Sequence, residues 1–94
     1  MPRYLVVRSF EVGTEQMPPV GRRSRELTEQ EFKSINWEHS HVVVGDDGLV
    51  KTYCVYEAPS EDVVREHSKM LGKHTIDNLY EIAGDVTPAD FPPV

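Results

Sequence analysis

The sequence predicts a two-layer α+β fold with its elements in the order β-α-β-β-α-β. Three observations carry this. Two β-rich runs, residues 36–44 and 49–57, flank the turn sequence Gly45-Asp46-Asp47-Gly48, as the arms of a hairpin do. Pro59 and Ser60 then stop the second arm and open an amphipathic helix. Strand-like runs also stand near both ends, at residues 4–10 and 76–83.

The first strand carries Leu5, Val6 and Val7 with Tyr4 and Phe10 near its ends, a composition that suits a pleated, half-buried surface. Gly13 ends it, and Met17-Pro18-Pro19 opens the next segment, because proline is tolerated in a first helical turn. Residues 19–35 hold good helix formers, but Val20, Leu27, Phe32 and Ile35 do not make one stripe. On an ideal helix Phe32 lies about 140° from Leu27. Thr28 with Glu31 matches a capping box, which predicts a second short helix rather than one rod.

Over residues 36–44 strict alternation places Trp37, His39, His41 and Val43 on one face, and Glu38, Ser40, Val42 and Val44 on the other. In the later helix, capped by Ser60, Glu61 and Asp62 complement the dipole. Val63, Val64, His67, Met70 and Leu71 form its apolar stripe, and Gly72 is suited to end it. Leu79 and Ile82 mark the last strand. Residues 84–94, with Pro88, Pro92 and Pro93, are expected to lie extended on the surface or on a partner.

This order is the ferredoxin-like split unit. Two helices cover one face of its four-stranded antiparallel sheet, and the other face meets water or another layer. None of the strands alternates simply between apolar and polar residues, so both faces are expected to be at least partly covered. A homodimer packed sheet to sheet, of the dimeric α/β-barrel type, would do this.

The 94 residues fit one domain, 1–94. The net charge of −6 argues against nucleic acid, which needs a basic face. The short basic run Arg22-Arg23-x-Arg25 reads as a solvated helix face. Cys54 is the sole cysteine and makes no disulfide within the chain, so the cytoplasm is the expected location. The opening residues predict neither a signal peptide nor a membrane span.

His39 and His41 are the sharpest chemical feature. Two positions apart on a strand, they project to one face, about 6.5–7 Å apart along it. Their ring nitrogens can converge on one ion, with bonds near 2.0–2.1 Å. Imidazole suits nickel, copper and zinc alike. The plain alternative is a pair of interface residues engaged in hydrogen bonds. Cys54 joins them only in one hairpin register. If Val44 faces Leu49, His39 faces Cys54 and Trp37 faces Tyr56. A loop longer by one residue brings Tyr53 and Val55 to that side instead. His67, central on the apolar stripe of its helix, is expected to be a core histidine with one ring nitrogen satisfied, and otherwise a ligand. His74 is expected at the surface. A second reading is an acid–base enzyme, isomerase- or monooxygenase-like, or a small-molecule-binding protein. There His39 or His41 would move protons, and Trp37, Tyr53, Tyr56 and Arg8 would line the pocket. The chain has no nucleophile elbow, phosphate loop, Cys-x-x-Cys or His-Glu-x-x-His.

Three stretches resemble a family of small bacterial nickel-binding-like proteins of largely uncharacterised function. They are Trp37-Glu38-His39-Ser40-His41-Val42, the run from Thr52-Tyr53-Cys54-Val55 through Tyr56-Glu57-Ala58-Pro59, and Val64-Arg65-Glu66-His67. Pro2-Arg3-Tyr4 matches as well. The resemblance implies a ferredoxin-like α+β sandwich, a homodimer and, for at least one member, nickel binding. His39, Cys54 and His67 stand at positions that match the motif. His41 stands where tyrosine is common, and residues 17–35 and the stretch after Gly72 depart from the family pattern.

Overall fold

A computed structural model describes residues 1–93. Strand β1 spans Arg3–Phe10, a 3-10 turn Thr14–Gln16, and helix α1 Met17–Gln30. Strands β2, Asn36–Val44, and β3, Val50–Glu57, form the hairpin. Helix α2 spans Glu61–Leu71 and strand β4 His74–Glu81, and a second 3-10 turn covers Pro88–Asp90. The four strands form one sheet in the order β2-β3-β1-β4, with every pairing antiparallel. With both crossovers made by helices, this is the ferredoxin-like α+β arrangement.

Both helices lie on one face. Tyr4, Val6, Cys54 and Tyr56 project from the two central strands and pack with Ala58 and with Val64 of α2. Phe32, Ile35, Trp37, Ile76 and Leu79 extend that core. Successive side chains of a strand alternate, so Leu5, Val7, Tyr53 and Val55 must point the other way. No helix covers that second face, which we call the open face.

α1 is a single helix, where the sequence predicted a break. Thr28 does not start a new turn. Its hydroxyl bonds back to the carbonyl of Arg25 at 3.0 Å, so the capping box is unused. The helix closes when the amides of Glu31 and Phe32 both return to the carbonyl of Leu27, at 3.0 and 2.8 Å. Phe32 and Ile35 therefore enter the core from the loop, which explains why they share no stripe with Leu27. The basic run lies on the solvated side, with Arg23 and Arg25 paired to Glu26 and Glu29.

α2 forms as its sequence dictates. The Ser60 hydroxyl accepts from the Val63 amide, and Val64, His67 and Ser68 are the buried positions. Gly72 (φ 67°) and Lys73 (φ 62°) then turn the chain sharply into β4. That turn sets His74 at the head of β4, half-buried rather than fully at the surface as expected, within reach of Arg8.

The β2–β3 hairpin takes the longer register. The Gly45 amide donates to the Leu49 carbonyl and Gly48 adopts φ 79°, so the loop proper is three residues with glycine at its left-handed position. Val44 consequently faces Val50, His41 faces Tyr53 and His39 faces Val55. A bulge at Glu38 then shifts the register, so that Trp37 faces Tyr56.

Candidate functional site

The register and the bulge together sort the candidate residues between the two faces of the sheet. His39 and His41 stand on the open face, beside Val55 and Tyr53. Their rings lie 5.3 Å apart, centroid to centroid, edge to face at 76°. Both are exposed. Around them, Val7 and Val55 are nearly covered, Leu5 is half-buried, and Val43, Tyr53 and Tyr80 are exposed. The paired histidines thus sit on a partly open surface that mixes these apolar side chains with the Lys51–Asp77 ion pair.

Trp37 departs from strict alternation. The extra residue in the bulge rotates it to the helix side, where it packs on the core and donates its indole N–H to Ser40 Oγ at 2.8 Å. A bulge leaves no mark in a pattern of alternating residues, so the sequence offered no signal for it. Glu38, the inserted residue, is held outward by Arg3, whose guanidinium donates to both carboxylate oxygens.

Cys54 and His67 also lie on the helix side, away from the histidine pair. Cys54 is a buried free thiol that donates weakly to Thr52 Oγ1. His67 has no exposed surface and lies 5.7 Å, ring to ring, from both Tyr56 and Phe32. Its Nε2 stands 3.4 Å from Ser24 Oγ, and its Nδ1 has no partner. Burial, aided by the nearby Arg8 charge, lowers its pKa to about 4, so the ring is neutral at physiological pH.

A second cluster was only partly legible. Arg8 is buried between sheet and helices. Its Nε donates to His74 Nε2 at 3.0 Å, Nη1 to the Tyr56 hydroxyl at 2.8 Å, and Nη2 to Ser68 Oγ at 2.7 Å. Because His74 Nε2 accepts, its proton sits on Nδ1, which donates to the Gly72 carbonyl at 2.7 Å. Burial also lowers the pKa of His74, in keeping with a neutral ring. Tyr56 is pushed up to about 12 by burial, so its hydroxyl stays protonated. Arg8 and Tyr56 were candidates in the sequence. His74 was not, because a position just past a helix cap reads as surface, and Ser68, inside α2, was not, because a helical serine carries no signal of its own.

Of the predicted site residues, then, the fold brings His39, His41 and Tyr53 together on the open face, and Arg8, Trp37, Tyr56, Cys54 and His67 together beneath the helices. Among the described residues no three His, Cys, Asp or Glu side chains gather closely enough to hold a metal by themselves. No described helix is long and apolar enough to cross a membrane.

Comparison with known proteins agrees with this architecture. The family model for nickel responsive proteins, SCO4226-like, matches residues 4–82. The crystal structure of SCO4226 from Streptomyces coelicolor A3(2) superposes with a TM-score of 0.66 at 17% identity, covering 89% of this chain and 99% of that one. The solution structure of the C-terminal domain of the MgtC protein from Mycobacterium tuberculosis superposes with a TM-score of 0.58 at 14% identity, covering 89% and 88%. At such identities the likeness is one of fold. None of the curated proteins matches the chain.

Proposed function

The chain belongs to the SCO4226-like family of nickel responsive proteins, and from that premise we propose that it binds a divalent transition metal, nickel by family, through His39 and His41. The observation that carries this reading is the edge-to-face pair itself, two exposed imidazoles on the uncovered side of the sheet.

The residues present fit such an ion in type. Neutral imidazole is a borderline ligand that suits nickel, and both rings reach solvent. They fit it only in part by number, since two ligands do not complete a site. A second copy, packed open face to open face, would add two more imidazoles and cover Val43, Tyr53 and Tyr80. We therefore read the chain as one half of a homodimeric metal site. A two-fold axis places the same patch on both sides of such an interface. The bound ion would supply positive charge where two acidic chains, each of net charge −6, meet. Cys54 and His67 take no part as ligands in this reading, because they lie beneath the helices. The sole cysteine, buried and reduced, suits a cytoplasmic setting.

Isothermal titration with nickel tests this. The natural chain should bind saturably, and His39→Ala/His41→Ala should not. Nickel binding that survives the double substitution would refute the assignment.

A further inference from the structure

We propose that the cleft between α1 and the sheet is a binding site for a small carboxylate with an apolar body, anchored by Arg8. The cleft has a volume of about 400 Å³, within the lower range of ligand pockets. Phe10, Met17, Val20, Trp37 and Leu71 give it apolar walls. Arg8 is its sole charged lining residue.

The charge on Arg8 is what calls for a ligand. A guanidinium cannot shed its proton, and burying it without a counter-ion is costly. Here it is 1% exposed, and its hydrogen-bond partners are a neutral imidazole, a phenol and a serine hydroxyl, with the Tyr56 ring 5.3 Å from its central carbon offering a cation–π contact but no negative charge. Among the described residues no carboxylate pairs with it. Each terminal nitrogen carries two hydrogens and spends one, on Tyr56 or on Ser68, so each keeps one N–H. The two remaining N–H groups equal in number the two oxygens of a carboxylate.

The neighbouring hydroxyls are arranged to donate as well. Tyr56 accepts from Arg8, which leaves its own O–H free, and Thr52 accepts from the Cys54 thiol in the same way. Both line the cleft. The cluster is rich in donors and poor in acceptors, and an anionic acceptor completes it. This site is separate from the histidine pair and stands or falls independently of it.

Trp37, the single tryptophan, lines the cleft and reports on its occupancy. The probes are benzoate and hexanoate, with benzamide as the neutral control, at constant ionic strength. The expected result is a saturable change in Trp37 emission with at least one carboxylate and none with benzamide. Arg8→Gln should weaken binding by at least about tenfold, the loss of one charge-assisted contact. Should that variant fail to fold, Gly21→Leu decides. A Cβ at Gly21, which lines the cleft, meets nothing within 4 Å, so a larger side chain has open space to start from there. It should abolish binding without lowering thermal stability, since leucine favours a helix interior over glycine. The His39→Ala/His41→Ala variant should bind benzoate as the natural chain does. No saturable response to either carboxylate, an equal response to benzamide, or normal binding by Gly21→Leu would overturn the proposal.

Discussion

The rings of His39 and His41 lie 5.3 Å apart, edge to face, on the side of the sheet that neither helix covers. Cys54 and His67, the other soft or aromatic donors of the matching motifs, lie on the far side of the same sheet. A β-sheet is one residue thick, so no rotamer change carries a side chain through it. Cys54→Ser should accordingly leave nickel affinity within about twofold of the natural chain, since one lost ligand bond would cost far more. Calorimetric titration of this variant measures it directly.

The open face should also govern association. Tyr80 is 54% exposed there, and Val43 41%. Burying them against a second copy gains apolar contact, whereas a carboxylate buried in the same place is desolvated without a partner. Tyr80→Glu should shift the monomer–dimer midpoint to at least about tenfold higher chain concentration while leaving the monomer folded. Sedimentation equilibrium beside circular dichroism separates the two effects.

His67 makes the fold sensitive to acid. Its pKa falls from 6.5 unfolded to about 4 folded, so below pH 6.5 the unfolded chain binds the proton that the folded chain refuses. Stability from this group is full above pH 6.5 and is lost as the pH drops toward 4. The loss relative to His67→Leu should be about 2–3 kcal/mol across that window. Urea unfolding of both proteins at pH 7 and pH 4.5 checks it, and the variant should show the shallower dependence. The variant also removes the unpartnered Nδ1.

Most of the fold could be read before any coordinate was known, because each element carries a local cause. Ser60 and Gly72 bracket α2, and the Gly-Asp-Asp-Gly turn fixes a hairpin. What could not be read was set by single-residue events. One more residue in the turn pairs Val44 with Val50, and one inserted residue at Glu38 turns Trp37 inward. Each step reverses a face, and neither changes the pattern of residue types. The long α1 was hidden for a different reason. Thr28 matched a cap but found a carbonyl within its own helix. His74 was placed outside because its partner, Arg8, is 66 residues away.

The turn that sets the register depends on Gly48. With φ at 79°, any side chain there is strained by about 1–2 kcal/mol. Gly48→Ala should lower unfolding free energy by that amount, measured in urea, with the sheet otherwise intact.

The most direct test of the central claim is sedimentation of the chain with nickel and after chelation, read together with the metal content of the sedimenting species. The account predicts a dimer carrying one ion per two chains, which weakens toward monomer when the metal is removed and does not form around nickel in His39→Ala/His41→Ala. A monomer holding its own nickel ion, or a dimer of the double variant that still carries nickel, would contradict it.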